Sequence, residues 1–181
     1  MPKLNAQQVV LQLIRAADGE WCGKKRLFKA FYFAHLYYAA EHPGILTDWP
    51  IARLPEGPGI NDSSFVFDPL VAQGLLVIER VHVGPYPEYR YRLTEKALAL
   101  PEPPDDAKRA IEQAAQFSLH RQASELSAIT HEHSRSWKKG QNGDTLDIYI
   151  DLIPDDEYET EQQKTADLNG MMIEALEDAR T

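Results

Sequence analysis

Two short stretches of this 181-residue chain carry residue types that could do chemistry. In His131-Glu132-His133 two imidazoles flank a carboxylate; on a strand both rings would share a face, and on a helix they would point well apart. Two ligands do not fix a metal, so His120, Glu125 or a distant acid would have to supply a third, and neither an HExxH nor a paired-cysteine motif occurs. Cys22, the single cysteine, stands beside Lys24 near a helix start, a setting that can make a thiol nucleophilic, but an isolated cysteine reads more simply as core. The chain has no Gly-x-Ser-x-Gly elbow, and Gly57-Pro58-Gly59 leads into no Gly-Lys-Ser or Gly-Lys-Thr element. The expectation is no enzyme, no catalytic residue, no cofactor and no metal.

Binding chemistry is better represented. Lys24, Lys25, Arg26 and Lys29 crowd the start of an aromatic segment, where a helix dipole disfavours cations, so an acidic partner or acidic tail is the expected complement. Phe28, Phe31, Tyr32, Phe33, Tyr37 and Tyr38 give that segment more rings than one packed side needs. Tyr86, Tyr89 and Tyr91 gather around a hairpin with Arg80, Arg90 and Arg92, and Trp137 adjoins Arg135, Lys138 and Lys139. Tyrosine, tryptophan and arginine are enriched at interface hot spots. The candidate partner-binding residues are Lys24, Lys25, Lys29, Tyr32, Arg90, Arg92, His131 and Trp137. Of these, the lysines, the arginines and Trp137 are expected to be exposed.

Charge sharpens the choice of partner. The net charge is -9, yet the first 140 residues carry 17 basic and 16 acidic groups while the last 41 carry 2 and 12. An acidic protein is a poor non-specific nucleic-acid binder. The helix expected between Asp62 and Gly74 contains no Lys or Arg, so DNA is possible but not favoured. No run is long enough to span a bilayer and no secretion signal opens the chain, which points to the cytosol and away from membranes.

The elements that must position these residues follow from periodicity and punctuation. Asn5 with Gln8 reads as a capping box and Leu4 with Val9 as its staple, opening a helix whose buried side is Val10, Leu13, Ile14 and Ala17 and which Asp18-Gly19 ends. Lys24 to Ala40 is the central helix, with Leu27, Phe31, Ala34 and Tyr38 on a buried stripe widened by Phe28, Tyr32 and His35, closed by His42-Pro43-Gly44. Residues 45–61 form a connector in which Ile51 to Leu54 is at best a short extended piece and Gly57 to Gly59 sets the entrance to the next helix. That helix runs from Asn61 or Asp62 to about Gln73 and either kinks at Pro69 or restarts there. Leu75 to Val81 and Tyr89 to Leu93 make a hairpin about Gly84-Pro85, and Thr94 caps a short helix after it. Asp105 or Asp106 caps a further helix bearing Ala107, Ile111, Ala114 and Phe117, and another spans about Ala123 to Thr130. Residues 144–153 fit a strand or a helix equally. Asp155 to Glu161 reads as a solvated acidic connector, and a last helix from Thr160 to Asp178 groups Ala166, Leu168, Met172, Ile173 and Leu176. The expected fold is mainly α: a compact helical domain over 1–153 with an inserted winged-helix-like β-hairpin at 75–93. The acidic connector and C-terminal helix of 154–181 are expected to pack on that domain.

Three ordered stretches carry a resemblance. Lys24, Leu27, Lys29, Tyr32, Ala34 and His35, then Trp49 ahead of Gly57-Pro58, then Leu126, Ser127, Thr130, His131 and Trp137 resemble the signature of the Panacea domain, an antitoxin-like family that includes phage-associated proteins. The resemblance implies a small helical, non-enzymatic domain that binds and neutralises a cognate toxin protein in a toxin–antitoxin or phage-related system. Pro55-Glu56-Gly57-Pro58-Gly59 departs from the plainer Gly-Pro run of the family, and the long hairpin resembles only a branch of it. A winged-helix transcription regulator using Arg80, Arg90 and Arg92 is the alternative.

Overall fold

Asn5 does open the first helix. In the computed structural model, which describes residues 3–84 and 86–178, its side chain accepts the Gln8 N–H at 2.8 Å while Gln8 accepts the Asn5 N–H at 2.9 Å. This reciprocal cap starts α1 (Ala6–Arg15), whose Val9, Val10, Leu13 and Ile14 are fully buried. The chain turns through Asp18 and Gly19, both at positive φ, into β1 (Glu20–Cys22). Three residues are too few to signal a strand by alternation, and β1 exists because β5 pairs with it.

The central helix is α2 (Lys24–Glu41), closed at His42 as the proline and glycine behind it require. Leu27, Ala30, Phe31 and Ala34 are fully buried, and Phe28, Tyr37 and Tyr38 pack partly against the same core. The connector after it is more ordered than its prolines and glycines suggest. It contains the antiparallel pair β2 (Ile51–Leu54) and β3 (Gly57–Ile60), which packs on α2. Gly57-Pro58-Gly59 is therefore strand and not a helix entrance.

α3 (Ser64–Ala72) runs through Pro69 without restarting there. β4 (Leu76–Val83) and β5 (Tyr86–Leu93) form a hairpin longer than alternation alone marks out, and β1 completes a three-stranded sheet in the order β1-β5-β4. Pro85, expected in the turn, lies outside the described residues. Thr94 caps α4 (Glu95–Leu98) as expected. Pro104, not an aspartate, is the N-cap of α5 (Asp105–Leu119), and Asp105 and Asp106 occupy its first turn instead, where the helix dipole favours them. α5 lies along α2, with Phe117 edge-on to Phe33 at 4.9 Å.

α6 (Ala123–His133) extends one turn past its expected end, and Ser134 then caps α7 (Arg135–Lys139). Residues 144–153 are neither strand nor α-helix: a single bridge joins Thr145 to Ala52, and Ile148–Asp151 is a 3-10 turn. The chain is thus mainly helical with two small sheets, and divides into a unit over Met1–Asp151 and a second over Leu152–Thr181. In the second, α8 (Asp155–Asp178) begins at the acidic run, so Asp155 to Glu161 is helix and not connector. Three acids in a first turn suit the positive end of a helix dipole. Leu168, Met172 and Ile173, grouped on one side by the sequence, are more than half exposed, and the side chain of Leu176 lies outside the described residues. None of the described helices is long and apolar enough to cross a membrane.

Candidate functional site

A cleft of about 600 Å³ opens where α2 begins. Its floor and walls are Phe28 from α2, Leu54, Pro55 and Pro58 from β2 and β3, and Pro87 and Tyr89 from β5. Lys24, Lys25 and Lys29 reach it from the first two turns of α2, Lys25 and Lys29 being four residues apart and so neighbours on one face. Three elements distant in sequence meet there because Gly23, at φ 98°, lets the chain leave β1 and enter α2 while its N–H still bonds the Tyr89 carbonyl at 2.8 Å.

The three lysines have different fates. Lys24 lies over the Phe28 ring at 5.2 Å and makes no ion pair among the described residues. Lys25 pairs with Glu56 at 3.2 Å, both side chains being more than half exposed. Lys29 is 2% exposed, which corrects the expectation that it stands in solvent. Its ammonium donates to the carbonyl oxygens of Glu56 and of Pro58, the latter at 3.2 Å. Burial pulls its pKa down to about 7; the Glu56 carboxylate opposes that shift and Lys25 adds to it.

This contact explains the Gly-Pro-Gly run. Gly57 sits at φ 106°, and a Cβ there would collide with the Lys29 ammonium and the Thr130 hydroxyl. At Gly59 a Cβ would fall within 3.0 Å of both Leu54 and Phe28. The hairpin is pressed onto α2 so closely that only glycine fits.

From behind, α6 and α7 hold the same hairpin. Ser127 donates to the Glu56 carbonyl at 3.0 Å, and the Trp137 indole N–H donates to the Leu54 carbonyl at 2.7 Å. Trp137 stacks on His131 at 4.0 Å and 11°, with the Arg53 guanidinium over the ring at 4.2 Å. Trp137 and His131 are thereby engaged inside the fold, and Trp137, expected to be an exposed contact, is a clamp on the hairpin. Tyr32 is buried too: its hydroxyl donates to Asp151 Oδ2 at 2.7 Å, where Ser134 and Ser136 donate as well. Burial beside that carboxylate raises the Tyr32 pKa.

Arg90 and Arg92 share a face of β5 as alternation requires, but that face is not the cleft. Arg90 pairs with Glu20 at 3.4 Å and Arg92 with Glu79 at 3.2 Å, across the sheet. His131 and His133 both lie on α6, where two residues' separation turns them apart, and His133 faces Glu132 at 3.7 Å. Among the described residues no three His, Cys, Asp or Glu side chains converge as metal ligands.

The structure thus gathers Lys24, Lys25 and Lys29 at the cleft, sets Tyr32, His131 and Trp137 behind it, and leaves Arg90 and Arg92 apart. Sequence reasoning missed the wall residues Leu54, Pro55, Pro87 and Glu88. Only the prolines, as rigid apolar rings in apparent loops, offered a signal. The side chain of Tyr86 lies outside the described residues; of the other two, Tyr91 is buried against Phe67 at 5.2 Å and Tyr89 reaches the cleft. No family model, curated protein or solved structure matches this chain.

Proposed function

We propose that this is a cytosolic, non-enzymatic binding module that grips another polypeptide through the cleft at the start of α2. The observation that carries the reading is the cleft's composition: an apolar floor of Phe28, Leu54 and Tyr89 under Lys24, a cation that pairs with no carboxylate among the described residues. Such a surface suits a partner segment presenting an apolar side chain beside a carboxylate, with the aromatic rings as anchors. The three stretches that resemble the Panacea domain meet around this hairpin. Lys29 bonds Pro58, Ser127 bonds Glu56, and Trp137 bonds Leu54. That convergence favours an antitoxin-like role, with a cognate toxin as the partner.

The test is affinity for the protein that co-purifies from the native host, identified together with the product of the adjacent gene. Lys24→Glu with Tyr89→Ala is expected to weaken that complex by about tenfold or more, the loss of one hot-spot side chain and one charge contact. Unchanged affinity in the double variant rejects the cleft as the contact surface.

One observation favours the second reading, a winged-helix transcription regulator. The succession α1-β1-α2-β2-β3-α3-β4-β5 with sheet order β1-β5-β4 supports it, although the β2–β3 pair interrupts the run of helices such a unit would have. The surface chemistry weighs against it. α3, which would enter the major groove, exposes Phe65, Asp68 and Val71, and Arg90 and Arg92 are engaged by Glu20 and Glu79. Salt-dependent retardation of promoter DNA would revive this reading, and no binding at low salt removes it.

A further inference from the structure

The second unit has a surface chemistry of its own. Between Asp155 and Asp178 the sequence holds nine acidic residues and one basic residue, Lys164, which is paired with Glu161 at 2.7 Å. Leu168, Met171, Met172 and Ile173 stand 65%, 66%, 60% and 55% exposed. Leu168, Met171 and Met172 are three and four residues apart, so they form one continuous apolar patch on one side of the helix. Glu159 falls on the opposite side, while Asp167, four residues before Met171, and Asp156 lie along one edge of the patch. A patch of large aliphatic side chains on a strongly acidic helix is a recognition surface more than a solubilising one.

Charge decides what covers it. A second copy of the same helix would bring nine more acids alongside the first nine, and like charges across an interface oppose association. An anionic lipid surface is repelled in the same way. We infer that α8 is a docking helix for a basic amphipathic polypeptide: its Leu168–Met171–Met172 patch packs on the partner's apolar face while the flanking acids meet lysines or arginines at that face's rim. Flexible, polarisable methionines suit a patch that must fit another protein's apolar face. The inference uses no residue of the α2 cleft, so the two proposals fail independently.

A double-mutant cycle on the full-length protein tests it. The probes are two synthetic helical peptides with the same lysines, one carrying leucines on a single face and the other carrying glutamines there. The protein is either wild type or Leu168→Gln/Met171→Gln/Met172→Gln, which keeps the charge and nearly the helix propensity. Circular dichroism verifies that helicity is retained. For wild type, replacing the peptide leucines is expected to weaken binding about tenfold; for the triple variant the same replacement should change it less than about threefold. Lys24→Glu should leave that difference intact. Equal losses in wild type and triple variant overturn the proposal. So does a concentration-dependent dimer in sedimentation that the triple variant abolishes, because a second copy would then own the patch.

Discussion

α2 and α8 invert the usual rule of which residues face water. On α2 a lysine is buried and its neighbours on every flank are protein; on α8 leucine, methionine and isoleucine stand in solvent amid acids. Exposed apolar atoms scattered singly are ordinary, and so are lysines on helix surfaces. A buried lysine and a contiguous exposed aliphatic patch are not. The first is tolerated because Glu56 and Pro58 turn their carbonyls onto it, so its contribution is to pin a hairpin and shape a cleft. The second has no compensating contact within its own unit, so its contribution must come from something the helix meets.

The sharpest way to test the α2 side of this contrast is pH. With the Lys29 pKa lowered to about 7 in the folded protein and near 10.5 when unfolded, the unfolded chain binds the extra proton between those values. Stability should therefore rise with pH across that window, by at most about 1.4 kcal/mol per pH unit from this group. Urea denaturation at several pH values should show a steeper rise for wild type than for Lys29→Met. Parallel slopes would mean that the amine is hydrated and the hairpin is not seated on it.

The next effect in size also belongs to α2. His35 is fully buried, its Nδ1–H donating to the Phe31 carbonyl at 2.8 Å and its Nε2 accepting from Thr47 at 3.2 Å. Burial pulls its pKa down to about 4. The unfolded chain then binds the proton first as pH falls below 6.5, and about 3 kcal/mol of stability should be lost between pH 6.5 and 4. An imidazole resonance titrating near its ordinary value would contradict this. Gly57→Ala should cost a comparable amount, about 3 kcal/mol, from a disfavoured φ and the clash with Lys29 and Thr130, read as a drop in melting temperature. A neutral Gly57→Ala would mean that the hairpin stands off the helix.

The smallest effect comes from α8. Leu168→Gln and Met172→Gln should each change unfolding free energy by less than about 0.5 kcal/mol, because neither side chain leaves a core cavity. A loss of several kcal/mol in either would place that residue in a core and end the contrast between the two helices.

Much of the scaffold could be read in advance where the signal is local. The Asn5–Gln8 cap, the bounds of α2, the Thr94 cap and the β4–β5 hairpin all depend on residues within a few positions of one another. The short elements could not. β1 needs β5, seventy residues away, and β2–β3 hides in prolines and glycines because its partner surface is α2. Residues 144–153 fitted two periodicities because Leu146 and Ile148 are buried by a loop that follows neither. Lys29 was misplaced in solvent for the same reason: nothing adjacent in sequence reveals two carbonyls arriving from residues 56 and 58.

By itself the sequence determined a mainly helical chain, the position of its aromatic central helix and the concentration of acid in its last quarter, since propensity, capping and charge are properties of neighbours. Which lysine faces the cleft alone, which is walled in, and which arginines are neutralised across a sheet was decided only by the tertiary structure. Burial and ion pairing depend on atoms brought together from far along the chain, and those distances have no trace in local spacing.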